Sequence, residues 1–218
     1  MQNVIRAVLF DFGGVIAEEG FYLGLTVLSK KNGLDPAAFF AAVDRIIFET
    51  GYLTGKADET TFWNAVRKET GIQGNDAELR DEILSRFVLR PKMIAAVDSL
   101  RSRGLLVAML SDQTDWLEQI DNTTDLFRHF DRVFNSFRIH KSKRDATVFR
   151  DVCAALGNKP EKTLFVDDNM NHINRAQGQG LQTILFESFD EYEMEMEKLR
   201  KKVGFLRLKA EGEKKAED

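Results

Sequence analysis

The sequence predicts an α/β protein: a doubly wound, Rossmann-like parallel sheet with a helical cap inserted after the first strand. Five short apolar runs lack polar alternation, which is typical of strands covered on both faces. Helical patterns separate most of these runs, and such alternation indicates parallel strands joined by crossovers. One long stretch, from about residue 17 to 88, contains helical patterns and no convincing strand, which indicates an insert.

Each element has its own local signal. The predicted strands are "RAVLFD", "LLVAMLS", "DRVFNSF", "KTLFVDD" and "LQTILFES". The helix "PKMIAAVDSLRSRG" has Pro91 near its start and Gly104 at its end, and "DATVFRDVCAALG" ends at Gly157, which is where helices favour these residues. In the insert, Asp35 and Pro36 mark a helix start.

These patterns divide the 218 residues into three parts. Residues 1–16 and 89–205 form the predicted core domain, and residues 17–88 form the predicted cap. Residues 206–218 are strongly charged and are expected to be a solvated tail. Because the cap follows the first strand directly, we expect it to cover the carboxyl end of that strand.

Composition excludes several classes of protein. The net charge is −4 and the isoelectric point is about 5.6, so no basic excess indicates a nucleic-acid partner. The single cysteine, Cys153, allows no intrachain disulfide, and its helical spacing with apolar residues indicates a small core residue. No signal-peptide pattern or membrane-length apolar run is present, so we expect a cytoplasmic protein without a membrane partner. The pattern predicts no oligomeric state.

Polar side chains lie at the predicted carboxyl edge of the sheet, where open parallel sheets bind ligands. They are Asp11, Ser111, Asp112, Lys143, Asp167 and Asp168. Taken singly, each has an ordinary explanation as a helix cap, a turn residue or a solvated lysine. Taken together, clustered carboxylates repel unless a cation or a lysine neutralises them, and Mg²⁺ prefers such oxygen ligands. The cluster therefore predicts a magnesium site.

These residue types suit phosphoryl transfer. A carboxylate can attack phosphorus to form an aspartyl-phosphate, while Mg²⁺ and a lysine neutralise the transferring group. A serine hydroxyl and backbone N–H groups can hold the phosphate oxygens. Gly13 and Gly14 follow Asp11 and would let the backbone approach a ligand closely.

The motifs "FDFGGV", "MLSD" and "LFVDDN", together with Lys143, resemble the haloacid dehalogenase-like hydrolase superfamily from roughly Arg6 to Ser188. The insert matches the helical cap of that family. The resemblance implies that Asp11 is the nucleophile and that Ser111 and Lys143 assist catalysis. The implied metal-site residues are Asp11, Gly13 (through its carbonyl), Asp167 and Asp168, with Asp167 acting directly or through water. The implied phosphate-binding residues are Gly13, Gly14, Ser111, Asp112 and Lys143.

Within the superfamily, the sequence looks closest to bacterial phosphatases of small phosphorylated metabolites, including the α-glucose-1-phosphate phosphatase group. The similar stretches are "FDFGGVI", "LRPKMI" and "FVDDNMNHI". The predicted function is Mg²⁺-dependent hydrolysis of a small phosphomonoester, a sugar phosphate being one candidate.

Three residues depart from the family pattern. Gly13 stands where many family phosphatases carry an aspartate that acts as general acid and base, so we hypothesise that the substrate needs a good leaving group: an anomeric, acyl or aryl phosphate. Asp112 stands where the closest relatives often have asparagine and would repel phosphate unless turned away or paired. Arg144 replaces the usual proline, which alters the loop of Lys143 or supplies a second cation.

Two other functions remain as alternatives. A 2-haloacid dehalogenase also lacks the aspartate at the position of Gly13, but the paired Asp167 and Asp168 favour a metal and hence phosphate. A catalytically weak binding module for a phosphometabolite or a protein would explain both Gly13 and Asp112.

A protein kinase is excluded because the glycine-rich loop, strand lysine and catalytic loop that it needs are missing upstream of Asp11. A P-loop nucleotide enzyme is disfavoured because the sequence has no GxxxxGK[ST] loop. The three histidines lack zinc spacing. His172 follows Asp168 at the start of the next predicted helix, so lining the site is one alternative, but we expect a helix-start or surface role.

Overall fold

The computed structural model describes residues 4–202 and contains one sheet of five parallel strands. The strands are β1 (Ala7–Phe10), β2 (Leu106–Ser111), β3 (Arg132–Asn135), β4 (Thr163–Asp167) and β5 (Gln182–Leu185). The spatial order is β3-β2-β1-β4-β5, with β1 in the centre. Each strand lies within one of the predicted runs, and the predicted fold class is confirmed. The predicted tail lies outside the described residues.

Strand register brings the predicted site residues to one edge. Phe10 is opposite Met109 of β2 on one side and Val166 of β4 on the other. The pairing continues one residue further, because the backbone N–H of Asp11 donates to the Val166 carbonyl oxygen at 2.9 Å. Asp11 therefore lies beside the end of β4, where Asp167 is the last strand residue.

Both faces of the sheet are covered, as the apolar runs predict. Val8 and Phe10 point into a large apolar cluster, whereas Leu9 between them belongs to a second cluster on the opposite face. This alternation follows from the two-residue period of a strand. Cys153 is buried in the second cluster with Phe149, in agreement with its helical spacing.

Four helices follow β1 within the predicted insert. They are α1 (Gly20–Lys31), α2 (Pro36–Glu49), α3 (Glu59–Thr70) and α4 (Asp76–Leu84). Each of them begins at a side chain that accepts the backbone N–H of the residue three positions later. These side chains are Glu19, Asp35, Asp58 and Asn75, at 3.2, 2.8, 2.8 and 2.9 Å. Such caps satisfy amide groups that have no partner inside the helix. The boundaries of the cap, 17 and 88, stay a prediction.

Six more helices flank the sheet or follow its strands. They are α5 (Pro91–Ser102), α6 (Trp116–Thr124), α7 (Ser136–Ile139), α8 (Val148–Ala155), α9 (Met170–Gly178) and α10 (Phe189–Lys202). Between residues 4 and 202, none of the helices combines the length and apolarity that a bilayer crossing requires.

Buried polar contacts join the insert to the sheet. The Ser136 hydroxyl, at the start of α7, lies 3.0 Å from the carbonyl oxygen of Leu53 and 2.9 Å from that of Gln113. The Tyr52 hydroxyl donates to Asp115 at 2.6 Å. Leu53 and Tyr52 belong to a short 3₁₀ turn between α2 and α3. These contacts fix the turn against the carboxyl edge of the sheet.

Ser136→Ala should destabilise the protein by about 1–3 kcal/mol, because it removes the donor from two buried carbonyl groups. The measurement is urea unfolding, with Ser102→Ala as the matched control. Ser102 donates to a carbonyl oxygen within its own helix on the surface. Equal effects of the two substitutions would show that the contact of Ser136 with Leu53 and Gln113 is dispensable.

Candidate active site

The predicted nucleophile, Asp11, directly follows β1 and is only 8% exposed. The backbone N–H of Phe12 donates to its Oδ1 atom at 2.7 Å. Its Oδ2 atom lies 2.8 Å from the Nζ atom of Lys143. The carboxylate is therefore held from both sides at the carboxyl end of the central strand.

Lys143 is the cation of the site and is only 1% exposed, which excludes a solvated surface role. Its Nζ atom lies 2.8 Å from an oxygen of Asp11 and 2.8 Å from an oxygen of Asp167. Burial opposes the charge of Lys143, but these two carboxylates outweigh it and raise the pKa of the ammonium group. The backbone N–H of Lys143 donates to both oxygens of Asp112, at 2.9 and 3.1 Å. Asp112 is thus paired with the loop that carries the lysine.

Asp167 is fully buried and has several partners besides Lys143. The backbone N–H of Asn169 donates to its carboxylate at 2.7 Å, and the Nδ1 atom of His172 lies 3.2 Å from both oxygens. Burial alone would raise the pKa of Asp167, but Lys143 and His172 overcome it and hold that pKa below its ordinary value. Asp167 is consequently a fixed anion behind the site.

Negative charge exceeds positive charge around the site. Withdrawal from solvent raises the pKa of four other carboxyl groups, those of Asp11, Glu19, Asp112 and Asp168. The charge of Asp167 raises the pKa of Asp11 and Asp168 further. Lys143 is the cation in contact with Asp11, and a further cation in the cleft would lower the free-energy cost of ionising these carboxyl groups.

The two glycines after Asp11 differ in their surroundings. Gly14 has a φ of +79°, and a Cβ atom there would lie 1.9 Å from the Oδ2 atom of Asp168. A Cβ atom on Gly13 would meet nothing closer than the Phe87 ring at 3.6 Å and the carboxyl group of Glu19 at 4.0 Å. Close packing therefore requires a glycine at position 14 but not at position 13.

Arg90 fastens the loop that contains these glycines. This arginine, from the "LRPKMI" stretch, donates to the carbonyl oxygen of Gly14 and binds the Glu18 carboxylate through two nitrogens, at 3.1 and 2.9 Å. The contact joins the start of α5 to the segment that leaves β1.

One cleft of about 710 Å³ contains most of the predicted site. Its lining includes Asp11, Gly13, Ser111, Asp112, Lys143 and Asp168. The other two predicted residues do not line the cleft directly. Gly14 lies next to the Asp168 carboxylate, and Asp167 is bound to Lys143. The structure therefore brings all eight predicted residues together.

Sequence reasoning missed part of the cleft. His172 lies at the helix start that the sequence predicts, in the first turn of α9, and it also lines the cleft beside Asp167 instead of having only a surface role. Glu19 and the ring side chains of Phe21, Tyr22 and Phe40 also line the cleft. No motif marks them, since they come from the insert and reach the sheet only through packing.

The donor atoms fit a hard divalent cation. Asp11, Asp167 and His172 each offer a ligand atom, and these atoms lie within 4.8 Å of one another. The Asp168 carboxylate is exposed to the same cleft. Carboxylate oxygens dominate this set, which suits Mg²⁺ better than zinc. His172 is engaged with Asp167, so orienting that carboxylate accounts for its position.

The family model for haloacid dehalogenase-like hydrolases matches residues 5–178. The chain belongs to this hydrolase family. A curated relative, bifunctional epoxide hydrolase 2 of Sus scrofa, is 25% identical over a region that covers 89% of this chain. The chain spans less than two fifths of the length of the curated relatives it matches here, 39% in the case of the pig protein.

Solved structures of this hydrolase family share the fold. A family enzyme from Bacteroides thetaiotaomicron superposes with a TM-score of 0.69 and 21% identity, covering 87% of this chain and 98% of the other. One crystal form of that enzyme is a complex with magnesium and inorganic phosphate. The L-2-haloacid dehalogenase of Xanthobacter autotrophicus gives a TM-score of 0.63 at 19% identity, covering 89% of this chain and 83% of the other.

Gly14→Ala should destabilise the protein by more than about 2 kcal/mol, because a positive φ and the contact with Asp168 both oppose a side chain. Gly13→Ala is the matched control and should change stability by less than about 1 kcal/mol. Thermal unfolding of both variants tests this difference. Similar losses at the two positions would contradict the distinction between the glycines.

Asp168→Asn should stabilise the metal-free protein at neutral pH. Because the pKa of Asp168 is raised in the folded protein, ionising it costs more there than in the unfolded chain. The wild type therefore loses stability as pH rises through that range, and the neutral amide does not. We expect a higher Tm for the variant in EDTA at about pH 7.5, and a gain that shrinks towards about pH 4. A lower Tm at neutral pH would contradict this electrostatic account.

Proposed function

We propose that the protein is a Mg²⁺-dependent phosphomonoesterase that forms an aspartyl-phosphate on Asp11. The observation that carries the proposal is the position of Asp11 at the floor of the cleft, in contact with the buried ammonium group of Lys143 and near the exposed carboxylate of Asp168. The Bacteroides relative binds magnesium and phosphate on the same fold, which supports this assignment.

Each residue has a distinct role in the proposal. Asp11, the carbonyl group of Gly13 and Asp168 would hold Mg²⁺, with Asp167 acting directly or through water. The bound ion would supply positive charge next to the transferring phosphoryl group. Lys143 would supply a second positive charge, and the Ser111 hydroxyl would donate to a phosphate oxygen.

The reaction has two steps. An Asp11 oxygen attacks phosphorus, and the ester P–O bond breaks with its electron pair on the leaving oxygen. Water then attacks the phosphorus of the aspartyl-phosphate, the bond to Asp11 breaks, and inorganic phosphate leaves. The sum consumes one water and regenerates the carboxylate.

Gly13 affects the first step, in which the leaving oxygen separates from phosphorus. An aspartate at this position could protonate the leaving oxygen, but glycine cannot. The nearest carboxyl group to that place is Glu19, whose Oε1 atom lies 4.0 Å from the Cβ that Gly13 lacks. If Glu19 does not donate this proton, the substrate needs a leaving group that departs without a strong acid.

Carbon–halogen cleavage is an alternative function, because a 2-haloacid dehalogenase has the same fold. Such a reaction also uses a carboxylate nucleophile but needs no metal. The excess of carboxylates around Asp11 favours the metal-dependent reaction. A binding module would keep phosphate and metal affinity without turnover.

Asp11→Asn should reduce Mg²⁺-dependent phosphate release at least about a thousandfold, because the amide is not a nucleophile. The assay measures inorganic phosphate from acetyl phosphate, phenyl phosphate, glucose 1-phosphate and glucose 6-phosphate. EDTA should abolish release by the wild type, and a rise in Tm with Mg²⁺ would show that the ion binds.

Chloride release from 2-chloropropionate in the presence of EDTA would contradict the proposal and favour the dehalogenase. A folded, Mg²⁺-binding protein that releases phosphate from no ester would favour the binding module.

A further inference from the structure

The insert places an aromatic surface opposite the nucleophile. We call Phe21, Tyr22 and Phe40 the cap wall; all three line the cleft that contains Asp11. The ring of Phe40 lies 5.1 Å from that of Tyr22, edge to face, and 6.4 Å from that of Phe21. The wall is therefore a continuous aromatic cluster.

The cap wall is open to the cleft. Tyr22 is 49% exposed although its ring is large, and Phe21 and Phe40 are half-buried. A single exposed aromatic residue is ordinary on a protein surface. Three adjacent rings inside the cleft of the nucleophile form a contact surface for the part of a ligand that extends from the phosphate.

The two carboxylates that the insert adds to the cleft, those of Glu19 and Asp44, already have partners. The Glu19 carboxylate accepts the backbone N–H of Tyr22 at 3.2 Å. Asp44 pairs with Arg144 at 2.9 Å, and the guanidinium carbon of Arg144 lies 3.3 Å from the centre of the Phe48 ring. On this side a polyhydroxy leaving group would meet mainly aromatic rings, and an anionic one would face the Glu19 carboxylate, since Asp44 is paired with Arg144.

Glycine instead of aspartate at position 13 restricts the leaving group, and this restriction is independent of the cap wall. A phenol has a pKa near 10, so a phenoxide departs from phosphorus without prior protonation. Of the leaving groups that this glycine permits, an aryl oxygen alone also carries a ring that can stack on Phe40 or Tyr22. An acetyl group has no ring, and an anomeric sugar presents hydroxyl groups.

We propose that the substrate class is an uncharged aryl group carrying a phosphate monoester, with the aryl ring packed on the cap wall and the phosphate at Asp11. This inference rests on the proposed phosphatase function. An Asp11 oxygen attacks phosphorus, the bond between phosphorus and the aryl oxygen breaks, and the phenoxide takes the electron pair and then a proton from water. Hydrolysis of the aspartyl-phosphate completes the reaction as described above.

Binding of phosphonates tests the ring contact without any reaction. Phenylphosphonate and methylphosphonate carry the same headgroup, and their P–C bonds are not hydrolysed. We expect the wild-type protein with Mg²⁺ to bind phenylphosphonate at least about tenfold more tightly in calorimetric titrations. Equal affinities would overturn the aryl assignment.

Three variants locate the contact. Tyr22→Ala should weaken phenylphosphonate binding about three- to tenfold and leave methylphosphonate binding unchanged, because one aromatic contact is lost. Tyr22→Phe keeps the ring and should bind as the wild type does. Leu23→Ala is the matched control, since Leu23 is an exposed apolar residue of the same helix that does not line the cleft. Equal losses in Tyr22→Phe and Tyr22→Ala would overturn ring packing in favour of the hydroxyl group.

Hydrolysis then separates this inference from the proposed function. A kcat/KM for phenyl phosphate at least about tenfold above that for glucose 1-phosphate, with KM for phenyl phosphate raised by Tyr22→Ala, would support both. Release from glucose 1-phosphate with a kcat/KM equal to or above that for phenyl phosphate would retain the phosphatase and overturn the aryl class. No release from any ester, together with selective binding of phenylphosphonate, would overturn the phosphatase while retaining the aryl class of ligand.

Discussion

The buried ammonium group of Lys143, between the carboxylates of Asp11 and Asp167, is the interaction on which the site depends. A buried charge without partners costs several kcal/mol, and two carboxylates at 2.8 Å offset that cost. The sheet order supplies both, because β1 and β4 are neighbours and end together. Asp112, after β2, holds the backbone of Lys143. Three adjacent strands thus position one cation.

The same arrangement leaves the cleft with more negative than positive charge. Asp167 is neutralised by its partners, but the pKa of Asp11 and Asp168 is raised, which means that their ionised forms are costly without a further cation. Proteins tolerate such a cost at functional sites, where binding of a ligand relieves it. If Asp168 binds the proposed metal ion, stability and metal affinity are opposed at this residue. The absence of a side chain at Gly14 leaves room for its carboxylate.

Local patterns predicted the strands, the capped helices and the polar edge, because each depends on neighbouring residues in the chain. They could not show that Gly13 and Gly14 differ, since the difference arises from Asp168 far along the sequence. Nor could they predict that Arg144 would reach across to Asp44 on α2, because only the packing of the insert brings the two together. The helix start at His172 was predicted, but its contact with Asp167 was not, because the turn between β4 and α9 brings the two side chains together.

The connection between β1 and α1 links Asp11 to the first two residues of the cap wall. The chain leaves the sheet at Asp11 and enters α1, whose first turn contains Phe21 and Tyr22. Arg90 binds both the Gly14 carbonyl and Glu18 within this connection, so the loop cannot move without breaking several charged contacts. Asp11 and the first part of the cap wall are consequently held by one anchored segment. Under the proposed function, substitutions of the cap wall would change which leaving group fits, while the strand ends would keep the phosphate and metal chemistry unchanged.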